Sequence, residues 1–554
     1  MPNPRTYTDL NEHLTALKKE GLLHIIDIPI NKDKHLHPLV RWQFRGGITS
    51  AERKGFHFTN VTDGAGTKYG GSCAVGVLAS NQRIYEVGMA ATAMEIGPKW
   101  LAAMANPIPP RLVTNAECQE VVIARSEICD SNGLDLLPVP ISTPGFDVAP
   151  YFTAGCWITK DPDTNIQNMG VYRGHIKSCD RIGVMMEMST LAGGYVHWKK
   201  YQAAGQRMPV ALVLGAPPIV EFTGPQKLPL GQDELGVAGA LAGGAINVVR
   251  CKSVDLVVPA EAQAIIEGWI DTDILEPEGP FGESHGYMQI EEYNFVMHVE
   301  TITFRRNPII TSMISQVTPS ESSVIKKLAY EPIFLDHLRN HLNIKSVQRI
   351  SMHEPLTNLR KVISVVLDRN VTQTEVWRAL QGLSSLQPAV GKICVAVNED
   401  IDPDNSDQLL WAIAYRANPV SDIQILNYRS PGHVPRTAST GTESTLFIDA
   451  TLKSDFPPVA LPKKEFMEEA KLIWEQLGLP PLHPETPWHG YDLGQWCQEW
   501  DEMAAKATAG NWKENGARAL SLRTHLDDPQ AEAAGIIAEL RSKDCPTPSP
   551  IANT

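Results

Sequence analysis

EPEGPFGESHGY, residues 276–287, contains two prolines and three glycines in twelve residues. That content is typical of preset turns rather than of a helix or a regular strand. Glu278 and Glu283 lie within it, and the Gly-Pro-Phe-Gly between them can fold both carboxyl groups towards one cavity, with Phe281 excluding water. Two carboxylates in a partly dry pocket repel each other, so one tends to hold its proton, as a general acid must. A solvated surface loop is the alternative interpretation of this pair.

Length and composition describe an ordinary globular protein of several domains. The chain has 554 residues, of which 43% are hydrophobic and 20% charged, and its formal net charge is -14. Because no long basic run occurs, nucleic acid is not expected as a partner. The longest nearly apolar stretch, residues 236–249, is too short to span a bilayer, so no membrane association is expected. Nine cysteines without CxxC spacing, and an N-terminus without an apolar core, favour reduced thiols in a cytoplasmic protein.

The order of predicted elements indicates a multidomain chain of mixed α+β and α/β character. Residues 1–115 form an N-terminal α/β domain that ends near the helix-breaking NPIPPR of residues 106–111. Residues 116–320 are rich in strands without regular intervening helices, which is typical of a barrel-like or sandwich domain. Residues 321–485 alternate strand and helix, as an α/β layer domain does. Residues 486–554 form a tryptophan-rich helical tail, expected to dock on another surface such as a second subunit, with a disordered end.

Three local signals add detail. Residues 151–159 and 166–176 are predicted strands, and the Asp-Pro-Asp-Thr between them predicts a hairpin. Residues 263–272 and 295–303 are strands on either side of the 276–287 loop. Thr-Pro-Ser-Glu at 318–321 has the form of a capping box, which predicts a helix with proline at its first position.

A second set of chemically capable residues is NMGVYR, residues 168–173. On a flat strand Asn168 and Arg173 would face opposite sides, and a bulge at Gly170 would turn both the same way. The amide oxygen of asparagine suits a hard cation, and the fork of arginine suits a carboxylate or a phosphate. Purely structural roles are the alternative for both residues.

A third set is Asp233-Glu234, which precedes a run of small residues with helical character. An acid at this place can complement the helix dipole. It can equally serve as a metal ligand, and the residues alone leave both interpretations open.

Together these motifs resemble the UbiD family of decarboxylases, which use prenylated FMN to remove CO2 reversibly from aromatic and α,β-unsaturated acids. The resemblance runs from about residue 8 to residue 480, and it is carried by NMGVYR (168–173), DELGVAGAL (233–241), PEGPFGESHGY (277–287), GKICVAV (391–397) and EDIDP (399–403). It implies that the central strand-rich domain is a split β-barrel that binds the flavin. It also implies a carboxy-lyase activity, a homodimer or higher homo-oligomer, and a flavin prenyltransferase that supplies the cofactor.

The resemblance implies a catalytic network of Arg173, Glu278 and Glu283. Glu283 would protonate the carbon that has lost CO2, Arg173 would orient the substrate carboxylate, and Glu278 would hold Arg173. It also implies a cofactor-binding set that consists of Asn168, Met169, Gly170, Val171, Tyr172, Arg173, Glu234 and Lys392. Asn168 and Glu234 would hold Mn2+ (or Mg2+) against the cofactor phosphate, with K+ nearby, and such oxygen ligands suit these ions rather than zinc.

One departure from the family pattern concerns the metal. Many members have a histidine shortly before a Gly-Gly pair, whereas Ser-Thr-Leu-Ala at 189–192 precedes Gly193-Gly194 here. His175 and His197 are out of register and are interpreted as core or second-sphere residues. The third protein ligand therefore stays open.

Alternative interpretations also stay open for the substrate and for the class of function. Hydroxybenzoic acids are favoured over cinnamic-type acids, and His433 or Arg436 in the polar segment 432–440 could meet phenol groups, although a surface loop is the simpler interpretation of that segment. A non-catalytic flavin- or metal-binding protein would not need the paired acids. A flavin-dependent oxidoreductase would need a hydride donor site, and no dinucleotide fingerprint occurs.

Overall fold

The computed structural model describes residues 5–188, 191–229, 231–353, 360–432, 442–453, 456–490, 494–523 and 549–550. The chain divides into two compact units. The first consists of Met1–Val365, Arg378–Val395 and Gln424–Phe447, and the second of Val366–Trp377, Ala396–Ile423 and Ile448–Thr554. The division into four domains drawn from the sequence stays a prediction.

The helices of the described residues are distributed along the whole chain. They are α1 (Leu10–Lys19), α2 (Leu36–Arg45), α3 (Gln82–Met89), α4 (Ala93–Ala105), α5 (Gly193–Ala203), α6 (Pro218–Glu221), α7 (Glu234–Ala242), α8 (Glu321–Asp336), α9 (Gln373–Ser385), α10 (Ser406–Arg416), α11 (Lys464–Gln476), α12 (Gln498–Thr508) and α13 (Trp512–Ser521). In the described part of the chain, no helix combines the length and the apolar character needed to cross a membrane.

The strands are most numerous between residues 111 and 312. In chain order they are β1 (Leu23–Ile26), β2 (Ile30–Asn31), β3 (Gly55–Phe58), β4 (Val61–Thr62), β5 (Ser72–Val75), β6 (Arg111–Leu112), β7 (Val121–Ala124), β8 (Tyr151–Phe152), β9 (Cys156–Lys160), β10 (Gln167–Val171), β11 (Gly174–Ser178), β12 (Arg181–Val184), β13 (Met208–Leu214), β14 (Asn247–Arg250), β15 (Val257–Pro259), β16 (Ala264–Ile270), β17 (Glu276–Glu278), β18 (Phe281–Gly282), β19 (Met288–Gln289), β20 (Glu292–Phe304), β21 (Ile309–Ser312), β22 (Val347–Ser351), β23 (Val362–Leu367), β24 (Ile393–Asn398), β25 (Ile423–Arg429), β26 (Glu443–Asp449), β27 (Gln495–Trp496) and β28 (Ser549–Pro550). The predicted mixture of helices and strands in a multidomain chain is confirmed.

A ten-stranded sheet is the centre of the first unit. Its order is β10-β9-β13-β16-β20-β12-β11-β8, and β7 and β17 also pair with β20. The predicted hairpin is confirmed, since β9 and β10 are antiparallel with Ile158 opposite Met169. The predicted strands around the loop are β16 and β20, which are also antiparallel, with Ile266 opposite Ile302. Among the described strands the order does not close on itself, so the predicted split barrel is not confirmed.

The sheet is buried on both faces, because its strands carry apolar residues on both sides. Along β13, Val210 and Leu212 pack in one hydrophobic cluster. The alternate residues Ala211 and Val213 pack in another. Successive side chains of a strand point to opposite faces, so this alternation places the sheet between two cores.

The 276–287 loop is more regular than predicted. Residues 276–278 form β17, which pairs antiparallel with β20, with Glu278 opposite Glu292. The prediction that no regular strand occurs here is therefore wrong, because β20 is long enough to offer β17 a free stretch of backbone. Gly279 then has φ of +99°, a conformation that favours glycine, and ends the strand.

The predicted capping box at residues 318–321 is also wrong. The helix starts only at Glu321, after Ser320. The carboxylate of Glu321 instead accepts hydrogen bonds from the backbone N–H groups of Leu78 at 3.0 Å and Ala79 at 3.2 Å. A distant loop supplies the donors for this acid, which local sequence cannot indicate.

Strands β22 to β26 form a separate five-stranded sheet, in the order β22-β23-β24-β26-β25, whereas β27 pairs with β28. Helices α9 and α10 follow β23 and β24 in the chain. This alternation of strand and helix is the α/β rhythm expected from the sequence.

The prediction that the cysteines are reduced is wrong for two of them. Cys129 and Cys179 form a disulfide with 5.4 Å between their Cα atoms, so not all thiols are reduced. The two residues are 50 positions apart, and the hydrogen bond from the Leu134 N–H to the Cys179 carbonyl brings their segments together. Cysteine spacing along the chain does not reveal such a tertiary pairing.

Candidate active site

A cavity of about 440 Å³ in the first unit collects most of the predicted site residues. Those that line it are Asn168, Met169, Gly170, Val171, Tyr172, Arg173, Glu234 and Glu283. Glu278 is fully buried behind Arg173, to which it is bonded. A cavity of this size suits a small molecule or a cofactor.

Arg173 is bonded to both predicted glutamates. Its Nε donates to Glu278 Oε1 at 3.0 Å and its Nη2 to Glu278 Oε2 at 2.5 Å. Its Nη1 donates to Glu283 Oε1. The bidentate contact fixes the plane of the guanidinium, so Arg173 also fixes the position of Glu283.

The strand geometry that aims Arg173 differs from the prediction. The pairing of β10 with β9 is regular through Gly170, so the predicted bulge is absent there. Instead β10 ends at Val171, and Tyr172 and Arg173 occupy a break before β11 begins at Gly174. The break replaces the two-residue alternation of a strand, so Arg173 can turn towards the cavity that Asn168 also lines.

Backbone contacts hold Glu283 in place. Its N–H donates to the Tyr287 carbonyl at 3.0 Å, which closes the loop. Its Oε2 accepts the N–H of Ser284 at 3.0 Å, and the preceding Gly282 N–H donates to Asp147 at 3.0 Å. The ring of Phe281 is buried and lies 5.4 Å from the Arg173 guanidinium carbon. The glutamate is therefore set on a rigid, partly dry wall.

The charges of this set do not cancel. Burial disfavours the Arg173 cation, but Glu283 and Glu278 outweigh burial and raise the pKa of Arg173. Arg173 therefore stays charged while two carboxylates share it. Two carboxylates and one guanidinium have a formal net charge of -1, so this set does not neutralise itself.

The second end of the cavity presents oxygen atoms. Glu234 is the first residue of α7, and its Oε2 accepts the Met169 N–H at 2.7 Å. Burial raises the pKa of Glu234 to about 8. Asp233 caps the helix by accepting the Leu235 N–H at 3.0 Å. Of the two interpretations left open for this acidic pair, capping belongs to Asp233, whereas Glu234 lines the cavity.

Gln226 is a further polar residue of the cavity wall, and the sequence did not indicate it. The residue is 5% exposed and lines the cavity. Within the described part of the chain, neither its Oε1 nor its Nε2 has a hydrogen-bond partner. A buried amide without partners costs about 1–3 kcal/mol, so Gln226 is suited to a ligand.

Residues of the cavity wall fit a divalent cation and a phosphate. The side chains of Asn168, Glu234 and Gln226 offer the oxygen donors that Mg2+ or Mn2+ prefers, and the Gln226 amide also offers N–H donors. A Cβ on Gly193 would lie 2.0 Å from Asn168 Oδ1, so only glycine leaves the room that this amide occupies.

Four further side chains of the cavity wall had no sequence signal. They are Lys227, Lys326, Tyr330 and Arg360. The Tyr330 hydroxyl accepts the Lys227 N–H at 2.9 Å, and the Arg360 guanidinium lies 4.0 Å from the centre of the Tyr330 ring. In sequence Lys326 and Lys327 resemble a solvated pair, and only the fold places one of them in the cavity.

Lys392 is not brought to this cavity. Its Nζ is bonded to Glu443 Oε2 at 2.8 Å, and 49% of its side chain is exposed. Its assignment to the cofactor stays a prediction.

The sequence predicts that two histidines, His175 and His197, are core or second-sphere residues, and neither lines the cavity. His197 is buried and hydrogen bonded to Thr159 at 2.9 Å. His175 is buried against Tyr151. His433 and Arg436 lie outside the described residues.

Comparison with known proteins identifies the family. Residues 111–317 match the 3-octaprenyl-4-hydroxybenzoate carboxy-lyase Rift-related domain of UbiD. Residues 324–450 match the C-terminal domain of the same carboxy-lyase.

Solved structures cover most of the chain. The UbiD-class enzyme HmfF from Pelotomaculum thermopropionicum, in complex with FMN, is 25% identical with a TM-score of 0.73, over 84% of this chain and 100% of HmfF. An evolved dimeric form of HmfF in complex with prFMN is 26% identical with a TM-score of 0.70, over 82% of this chain and 97% of that form. The vanillic acid decarboxylase of Sedimentibacter hydroxybenzoicus shares the fold at 23% identity and a TM-score of 0.73, over 85% and 99% of the two chains. The family predicted from the motifs is thus confirmed: this chain belongs to the UbiD family of carboxy-lyases.

Proposed function

We propose that this protein catalyses the reversible, non-oxidative decarboxylation of an aromatic acid, most suitably a hydroxybenzoic acid, with prenylated FMN. The observation that carries the proposal is that Arg173 binds Glu278 and Glu283 together at the wall of a cavity. A binding protein has no need of two acids on one buried guanidinium, whereas protonation of carbon requires a positioned acid. The likeness to a UbiD-class enzyme in complex with prFMN supports the cofactor.

The chemistry assigns a role to each member of the network. The bond between the ring carbon and the carboxylate breaks, CO2 leaves, and a proton takes its place on the carbon. Arg173 attracts and orients the carboxylate, Glu278 holds Arg173, and Glu283 delivers the proton. When bound, prenylated FMN supplies the electron sink that no side chain provides.

The oxygen-rich end would hold the cofactor phosphate. Asn168 and Glu234 would bind Mn2+ or Mg2+, with K+ nearby, and the backbone of residues 169–172 would contact the cofactor. Gln226 is the added candidate, because its amide has no partner among the described residues. The oxygen of an amide can bind a cation, and its N–H groups can donate hydrogen bonds to a phosphate. Such a side chain therefore suits a place where a cation and a phosphate meet.

The remaining parts of the proposal follow from the family resemblance. They are a split-barrel arrangement of the flavin-binding domain, Lys392 as a cofactor contact, a cytoplasmic location, and a homodimer or higher homo-oligomer. Helices α11, α12 and α13 have no fully buried residue within the second unit, which supports a role in contacts with a second subunit.

The test is to produce the protein with and without a flavin prenyltransferase and to assay CO2 release from a panel of aromatic and cinnamic acids. We expect activity only after co-expression. Full turnover by protein that contains ordinary FMN would contradict the cofactor assignment. Anaerobic absorption spectra show whether the purified protein contains modified flavin, ordinary FMN or no flavin. A protein that contains modified flavin and releases no CO2 would be a binding protein.

A further inference from the structure

A chain of hydrogen bonds runs from helix α2 to the cavity wall. His37 Nε2 lies 2.8 Å from Ser312 Oγ, and Ser312 Oγ lies 2.8 Å from Thr153 Oγ1. His37 belongs to α2, Ser312 is the last residue of β21, and Thr153 lines the cavity. His37 is fully buried and Ser312 is 4% exposed. Two hydroxyl groups therefore connect an enclosed imidazole ring to the cavity.

Strand pairing places Thr153 beside Arg173. Strands β8 and β11 are antiparallel, and Phe152 lies opposite Gly174. Thr153 follows Phe152 and Arg173 precedes Gly174, so the two residues are the next positions of the same pairing, and both line the cavity. Opposite residues of antiparallel strands have Cα atoms about 5 Å apart, and the next positions are close neighbours. Thr153 is therefore at the reacting end of the cavity.

The ring proton of His37 decides in which direction the hydroxyl groups donate. Burial and the charge of Arg41 lower the pKa of His37 well below its usual range, so the ring is neutral and has a single N–H. Among the described residues, its Nδ1 has no hydrogen-bond partner. Among buried backbone groups an unpaired N–H is rarer than an unsatisfied acceptor, and the same preference places the ring proton on Nε2. Nε2 then donates to Ser312, and Ser312 donates to Thr153.

This order of donors leaves the Thr153 proton for a ligand. Thr153 Oγ1 also accepts the Met313 N–H at 2.8 Å. A hydroxyl group accepts two hydrogen bonds and donates one, so its O–H stays available once Ser312 and Met313 donate to it. A carboxylate only accepts hydrogen bonds, and Arg173 already uses donors on two glutamates. A second donor beside Arg173 would strengthen the binding of such an anion.

We propose that Thr153 donates a hydrogen bond to the carboxylate of the aromatic acid beside Arg173, and that His37, through Ser312, keeps the Thr153 proton directed at it. The inference rests on the proposed decarboxylase function and extends it by one binding residue, Thr153, and one positioning residue, His37. The reverse order of donors would present the Thr153 oxygen as an acceptor, which a carboxylate cannot use.

The first test measures binding without turnover, by calorimetry on protein loaded with ordinary FMN. The probe acids are 3,4-dihydroxybenzoate and benzoate, which share the carboxylate. Thr153→Val keeps the shape of the side chain but loses the hydroxyl, so the dissociation constants of both acids should rise about 10-fold. Thr153→Ser should retain most of the affinity. Thr311→Val is the matched control and should bind as the wild type does, because the buried Thr311 hydroxyl has no partner among the described residues.

The second test concerns the direction of the chain. The amide of glutamine can place an N–H near the position of Nε2, whereas the amide of asparagine lies nearer to that of Nδ1. His37→Gln should therefore bind both acids more tightly than His37→Asn. His37→Asn combined with Thr153→Val should bind no more weakly than Thr153→Val alone, because both changes act through one hydroxyl group. A merely structural role of His37 would give losses that add.

Three results would overturn the proposal. They are additive losses in the double variant, a loss confined to 3,4-dihydroxybenzoate, and weaker FMN binding by cofactor-free Thr153→Val with unchanged affinity for the acids. The second would assign the Thr153 hydroxyl to a ring substituent, and the third would assign it to the flavin. If the wild type loaded with prenylated FMN releases no CO2 from any acid, the proposed function fails, whereas equal weakening of both acids in Thr153→Val still supports this inference.

Discussion

The two ends of the cavity are built on opposite principles. At the reacting end, Arg173, Glu278 and Glu283 are bonded to one another, and Glu278 is fully buried. Elsewhere in the cavity wall, the amide of Gln226 is also buried but has no partner among the described residues. One end is completed by its own side chains, whereas the other presents polar atoms that a ligand must satisfy.

This difference separates two kinds of preorganisation. The reacting end holds its charges in the catalytic arrangement before substrate arrives, so little reorganisation is needed during reaction. The oxygen-rich end stores an unfavourable desolvation that ligand binding can relieve. Substitutions at the first end should therefore affect chemistry and the stability of the free protein. Substitutions at the second should affect mainly the retention of cofactor and metal.

The largest effect is expected from Glu283→Gln. The amide keeps the shape of the carboxyl group but has no carboxylic proton to deliver, so turnover should fall by roughly 10²–10⁴-fold. Steady-state CO2 release and the incorporation of deuterium from heavy water into the product measure this step. The control is Glu291→Gln, an exposed acid nearby, which should leave both unchanged. Normal deuteration in Glu283→Gln would remove Glu283 as the proton donor.

Glu278→Gln should destabilise the cofactor-free protein, which tests whether the reacting end contributes to its stability. Glu278 is the bidentate, fully buried partner of Arg173, and removal of its charge leaves the guanidinium with one carboxylate. Breaking a buried ion pair on one side costs about 3 kcal/mol. The midpoint of urea denaturation of the cofactor-free protein should fall, while Glu291→Gln should not change it. A midpoint equal to that of the wild type would show that the reacting end is not held together by this pair.

Glu234→Ala and Asn168→Ala test the opposite end. The affinity for Mn2+ should fall by about 10–100-fold or more, since even residues that only support a metal ligand have effects of that size. Calorimetric titration and elemental analysis of the purified protein measure the loss, and the denaturation midpoint of the cofactor-free protein should change much less than in Glu278→Gln. Asp233→Ser, which keeps a helix cap, is the control. Normal Mn2+ content in Glu234→Ala would reduce this acid to a helix-dipole residue.

The smallest effect, and the most specific, is expected from Gln226→Leu. Removal of an unpartnered buried amide should stabilise the cofactor-free protein by about 1 kcal/mol and weaken cofactor retention. Gln263→Leu is the matched control, because Gln263 is also buried but its amide is paired with Asn11 and with the Ile309 N–H. That variant should be destabilised. If Gln226→Leu is destabilised in the same way, the amide has a structural role and the contrast between the two ends disappears.

Much of the fold and part of the site could be predicted from local patterns. The β9–β10 hairpin is confirmed because a turn signal and two apolar runs act within twenty residues. The motifs around Arg173, Glu234 and Glu283 marked residues that the structure brings to one cavity. The strand at residues 276–278 was missed, because its formation depends on the backbone of β20 and not on its own proline- and glycine-rich sequence.

The sequence by itself determined the family, the turns and the chemical types of the site residues, since these depend on short stretches with characteristic spacing. Only the tertiary structure decided which side chains share a cavity. It selected Lys326 instead of Lys327 through the phase of α8, and it left Gln226 buried and unpaired. It directed Glu321 to the backbone of Leu78 and joined Cys129 to Cys179. Each of these depends on contacts between residues far apart in the chain, and no local pattern of polarity or spacing encodes them.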